Sequence, residues 1–153
     1  MFHWIVRHLH WLARVPLVPQ MFDTMLLVWT ALFHRERLGA MELLEVAALR
    51  LPGVAPQVHR FGGIGFTRHE REFAHLHGNG LLDVHLTRER AAELVASRRA
   101  LPHHVFGPSV WISFWLRAPG DLGNAVSLIE EGAAFARANP AGGEIRTSRN
   151  FIC

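Results

Sequence analysis

A single cysteine, Cys153 at the end of the 153-residue chain, excludes an intramolecular disulfide and a cluster of thiolate metal ligands. A reducing, cytoplasmic setting is the default that such usage implies. Tyrosine is absent, while tryptophan occurs five times and phenylalanine ten; this aromatic surface suits a packed core or a flat aromatic ligand equally well. No run reaches the roughly 18 uninterrupted apolar residues that a membrane-spanning helix needs. The greasy start, MFHWIVRHLHWLARVPLVP, is punctuated by His3, Arg7, His8, His10 and Arg14 and closed by Pro16 and Pro19. No small-residue cleavage site follows, so residues 1–20 read as an amphipathic segment rather than a signal peptide. Such a segment either docks on the domain or touches a membrane surface.

A concentrated charge is also missing. The formal net charge is +3, with the basic residues spread along the chain, so nucleic-acid binding is not indicated. No internal repeat is visible, and Gly62, Gly63 and Gly65 lack the lysine-bearing pattern of a phosphate cradle. What is present is a 50% hydrophobic composition, enough for one cored domain, which we place at residues 21–153.

After the prolines, MFDTMLLVWTALFHRERLG predicts a largely buried helix, capped at Asp23 or Thr24 and stopped by Gly39. MELLEVAALR predicts a second helix ending before Pro52-Gly53, and VAPQVHRFGGIGF a loop or strand. Thr67-Arg68-His69-Glu70 fits a capping box that would open a short helical turn. Thr87 opens a helix over RERAAELVASRRA, and LGNAVSLIEEGAAFARAN closes the domain as another. VWISFWL alternates cleanly, with Val110, Ile112, Phe114 and Leu116 on one face and Trp111, Ser113 and Trp115 on the other. The expected fold class is α+β: a small antiparallel sheet with helices packed on one side and an N-terminal helical segment.

The histidines concentrate between Thr67 and Gly107. In FAHLH, strand parity points His75 and His77 one way and Ala74 and Leu76 the other. Gly78-Asn79-Gly80 is a hairpin signal. A loop over those residues sets His77 across from Leu81 and His75 across from Asp83. Leu82, Val84 and Leu86 then join one apolar face, and His75, His77, Asp83 and His85 share the other. The same histidines also fit a satisfied polar layer between sheet and helices.

The stretches EFAHLHGNGLLDVHL, PHHVFG, VWISFWLRAP and NPAGG resemble the fungal luciferases and their bacterial luciferase-domain relatives. PQMFDTMLLVWTALF also looks like the segment that follows the membrane anchor of the fungal enzymes. The resemblance covers the chain from about Pro19 onward. His75, His77 and His85 match the family spacing, and His103 fits the histidine ahead of the apolar turn. Asp83 and the Gly78-Asn79-Gly80 turn depart from the fungal residues, which puts the substrate in question before the fold. The resemblance implies an oxygen-dependent oxidoreductase acting on a hydroxylated pyrone such as 3-hydroxyhispidin, with no cofactor beyond O2.

That chemistry needs a base for an enol proton, and histidine suits it near neutral pH. His75, paired with Asp83, is the expected base, with His77, His85 and His103 holding the pyrone oxygens. Trp111, Ser113, Trp115 and Glu70 are the expected substrate-binding residues, with Glu72 as a supporting group. Two alternatives stay open. His75, His77 and His85 could ligate Fe, Zn or Cu. A small sheet followed by a helix also suits a double-wing DNA-binding module, with Arg88, Arg90, Arg98 and Arg99 reaching phosphates. The expected partners are a small aromatic substrate and O2, with membrane contact through residues 1–20 as a further one.

Overall fold

The computed structural model describes residues 17–103 and 107–139. The first sixteen residues of the amphipathic segment, His104, the closing NPAGG beyond Asn139 and Cys153 lie outside the described residues. Among those described, no helix is long and apolar enough to cross a membrane.

Six strands form one antiparallel sheet: β1 (Val54–Val58), β2 (Ile64–Arg68), β3 (Arg71–Leu76), β4 (Leu81–His85), β5 (Leu101–His103) and β6 (Gly107–Trp115). Their spatial order is β1, β2, β3, β4, β6, β5. The helices are α1 (Val18–Phe33), α2 (Arg35–Leu49), α3 (Arg88–Ala96) and α4 (Leu122–Ala138). One face of the sheet, with Ala74, Leu82, Val84 and Ile112, is packed into a single core with Leu44 of α2, Leu94 of α3 and Ile129 of α4. This is the expected α+β fold, with α2, α3 and α4 packed on one side of the sheet, and it leaves the opposite face of the central strands for polar chemistry.

The central hairpin forms in the expected register: His75 pairs with Asp83, Leu76 with Leu82 and Ala74 with Val84. β6 continues the parity, setting Ser113 opposite Asp83 and Trp111 opposite His85. Thr87 caps α3 as expected, its hydroxyl accepting from the Arg90 amide at 3.2 Å.

Two expectations fail. The single buried helix is instead two, broken at His34, with Gly39 inside α2. α1 buries Asp23 and Thr30 and exposes Met21, Met25, Val28, Trp29 and Leu32. The helix turns its polar residues inward because Asp23 binds a hairpin loop, and the apolar residues are left outside. Thr67-Arg68-His69-Glu70 is no capping box either. Thr67 and Arg68 end β2, and His69 and Glu70 take φ of 52° and 62° in the two-residue turn into β3. Two consecutive left-handed residues make a hairpin turn whose twist matches its strands, a geometry incompatible with opening a helix.

Where α4 crosses the sheet, a Cβ on Gly132 would meet Val84 Cγ1 at 2.8 Å and Phe73 Cδ2 at 3.0 Å, whereas Gly39 has open space. Gly132→Ala should therefore lose about 1–3 kcal/mol through overpacking. Gly39→Ala should gain about 0.5–1 kcal/mol from reduced backbone entropy in the unfolded chain. Urea-unfolding midpoints read both, and equal effects of the two would contradict this packing.

Candidate functional site

Asp83 is wholly buried at the centre of the polar face. Its Oδ1 accepts a short hydrogen bond from the Ser113 hydroxyl. Its Oδ2 lies 3.1 Å from His75 Nε2, 3.4 Å from His77 Nε2 and 3.8 Å from His103 Nε2. Both imidazoles of the hairpin are held from their other nitrogen as well. His75 Nδ1 is 3.0 Å from Glu72 Oε1, and His77 Nδ1 is 3.3 Å from Asp23 Oδ1. The result is a line of alternating carboxylate and imidazole: Glu72, His75, Asp83, His77, Asp23.

Each end of the line is fixed by a distinct local device. At one end, Asp23 Oδ1 also accepts the Gly78 amide at 3.0 Å. A Cβ on Gly78 would come within 2.6 Å of the Asp23 carbonyl, so only glycine lets α1 approach the hairpin loop this closely. At the other end, β3 carries a bulge: Phe66 pairs with Ala74 and Thr67 with Glu72, leaving Phe73 between them unpaired. The extra residue turns Phe73 into the core and re-aims Glu72 onto the histidine face. His59, in the loop after β1, reaches the same carboxylate at 2.8 Å and stacks on His75 with ring centroids 3.8 Å apart.

The aromatic wall is Trp111, with centroid distances of 5.4 Å to His75, 5.0 Å to His85 and 6.3 Å to His103. His85 stands apart from the carboxylates, between Trp111 and Phe135 of α4, and its Nδ1 is buried without a hydrogen-bond partner. Trp115 shares the strand face but lies at its far end, opposite Leu81. Glu70 is exposed in the β2–β3 turn, so Glu72 takes the place expected for it. His75, His77, Asp83, His103, Ser113 and Trp111 are thus brought together, with His85 at the margin.

The electrostatics separate the histidines. Burial opposes a charge on His77, but the hydrogen bonds to Asp23 and Asp83 outweigh it and push its pKa up to about 9. Burial also opposes a charge on His75, and its bonds to Asp83 and Glu72 raise it nonetheless. For Glu72, burial works upward, while His59 and His75 together bring it down to about 2. His85 has no such carboxylate; burial and the positive Arg71 push it down to about 4, and it stays neutral. His75 alone as a free base is therefore not what the geometry supplies, because both its nitrogens are engaged.

The Luciferase domain family model matches residues 70–132. The matched stretch is narrower than the resemblance read from about Pro19 onward, and it contains Glu72, His75, His77, Asp83, His85, His103, Trp111 and Ser113. Asp23 and His59, which complete the histidine and carboxylate face, lie before it. Neither a curated protein nor a solved structure matches the chain.

Asp23 and His59 were invisible to parity because they arrive from a helix and a loop; Gly62 and Gly78, clustered around Asp23, were the one local sign of a close approach.

The ion pairs have a pH signature. His77 has a folded pKa near 9 against an ordinary 6.5, so its contribution is complete below 6.5 and vanishes as pH rises through 9. Glu72, lowered to about 2 from 4.5, contributes above 4.5 and loses it as pH falls toward 2. Thermal unfolding of chelator-treated protein should show a loss on the order of 2 kcal/mol between pH 6.5 and 9.5. His77→Gln should flatten that limb, and an unchanged slope in the variant would refute the pairing.

Proposed function

We propose that this protein is a luciferase-like, oxygen-dependent oxidoreductase acting on a small enolic aromatic, a hydroxylated pyrone of the 3-hydroxyhispidin type. The observation that carries this reading is the coincidence of the luciferase-domain match with the strands that build the relay of Glu72, His75, Asp83 and His77. Both hairpin imidazoles stand between carboxylates that accept their protons, so both are held protonated and act as donors; the group left to take a proton is His59 at the outer end, whose Nδ1 faces Glu72. The relay's outer end, at Glu72 and His59, reaches solvent, with side chains 19% and 12% exposed.

The enol proton passes to that end, and the electron-rich enolate gives one electron to oxygen. The two radicals join through a carbon–oxygen bond, and the peroxide takes up the proton. Oxygen is the only oxidant required. Trp111 supplies a flat wall for the pyrone, and the neutral His85, with its unpartnered Nδ1, accepts a hydrogen bond from a substrate hydroxyl. The DNA-binding alternative loses support because Glu72, Asp83 and Asp23 would repel phosphates from this face.

Oxygen uptake and loss of 3-hydroxyhispidin absorbance, with simultaneous light detection, test the reading. Both should depend on substrate and protein, and His75→Ala should lower kcat by roughly 10²–10⁴-fold in a chain that keeps its thermal transition. No oxygen uptake with hydroxypyrones, or near-normal turnover in both His75→Ala and Asp83→Asn, would overturn it.

A further inference from the structure

Three donor atoms meet at the outer end of the relay. His59 Nδ1 is 2.8 Å from Glu72 Oε1, His75 Nδ1 is 3.0 Å from the same oxygen, and all three atoms lie within 4.8 Å of one another. Neighbouring ligands of a first-row metal, each bonded at about 2.0–2.2 Å, stand roughly 3 Å apart, so the set is spaced as a coordination shell would be. We propose that His59, Glu72 and His75 bind a divalent first-row transition metal through two imidazole Nδ1 atoms and one carboxylate.

The surroundings are those such a site requires. A metal-bound imidazole is normally oriented by a carboxylate at its other nitrogen. His75 has that partner in Asp83, at 3.1 Å from Nε2, and Asp83 is itself fixed by Ser113. The Glu72 carboxylate is steadied by Gln57, whose Nε2 donates to Oε2 at 2.7 Å. Room for it is made on the neighbouring strand, where Gly65 pairs with His75 and a Cβ would come within 2.6 Å of Glu72 Oε2. A glycine inside a strand marks such a close approach. The rings of His59 and His75 stack 12° from parallel, so one ring, that of His59 in its loop, has to turn about its side-chain torsions for both Nδ1 lone pairs to meet at one ion.

A second convergence, of His75, Asp83 and His103, is wholly buried. Asp83 there already serves Ser113 and His77, so an ion would have to displace existing bonds. The outer set is also the partly exposed one. Two histidines and one carboxylate leave coordination positions open, the arrangement associated with iron and oxygen chemistry. The proposal thereby deepens the oxidative reading, and it differs from the ligand set read from sequence by replacing His77 and His85 with His59 and Glu72.

The test uses chelator-treated full chain titrated with Co(II) and, under anaerobic conditions, Fe(II). Visible absorption follows the cobalt, and calorimetry gives stoichiometry. One ion per chain should bind, with affinity falling about a hundredfold or more in His59→Ala and in Glu72→Gln, and about tenfold in Asp83→Asn. His69→Ala, at an exposed turn, should bind as the parent does. His59 lies in a loop, so His59→Ala should keep the parent's thermal transition even if Glu72→Gln does not fold. Absence of binding, or unchanged affinity in folded His59→Ala, overturns the proposal. Binding is read without substrate, so failure to oxidise a hydroxypyrone would leave the site standing. Oxygen uptake by chelated protein that binds no cobalt would remove the metal and keep the oxidation.

Discussion

A carboxylate without access to water governs this fold. Asp83 has no exposed surface, and an unmatched charge in such a place would be neutralised or would unfold its surroundings. It is matched by Ser113 of β6, by His75 and His77 on and just beyond β3, and by His103 of β5. These groups meet only in one register, because a slip of one residue would turn every one of them into the apolar core. The buried charge therefore specifies strand pairing as well as chemistry, and the hydrophobic face made by Ala74, Leu82, Val84 and Ile112 enforces the same register from the other side.

Residues read correctly from sequence are those governed by parity within one hairpin and its neighbour. His75, His77 and Asp83 follow from two strands and a glycine-rich turn, and Ser113 and Trp111 follow from the cleanest alternation in the chain. The failures arise where one extra residue or a distant element intervenes. Glu72 belongs to the opposite face by counting from His75, and only the bulge at Phe73 brings it round. His69 and Glu70 carry none of the glycine or asparagine that usually marks a two-residue hairpin, so pairing of β2 with β3 overrides what looks locally like a helix start. Asp23 is 54 residues from His77, and no local pattern records that contact.

α1 shows what the relay requires of its surroundings. A helix with this many apolar residues would ordinarily turn them to the core. Here the carboxylate of Asp23 faces inward, bonded to the Gly78 amide and beside His77, and Met21, Met25 and Trp29 face out. Docking of the helix thus depends on the protonated partner it meets. Helix position and the charge on the hairpin imidazole are one coupled quantity, and a helix with so little buried apolar surface stands at the low-stability end of the structure.

The proposed oxidation and the proposed metal site converge on one atom, His75 Nδ1. In either state Nε2 donates to Asp83, so the ring keeps its orientation. What changes is whether Nδ1 holds a proton shared with Glu72 or lends its lone pair to an ion, and it cannot do both. Glu72 and His59 move between the same two roles, because the oxygen that accepts the imidazole protons is also the one placed among the metal donors. The bulge that aims Glu72 and the glycine that makes room for it serve both occupants. On the two proposals a proton network and a coordination shell are alternative states of a single geometry, and the cation at Nδ1 would decide whether oxygen meets an enolate alone or an enolate beside a metal.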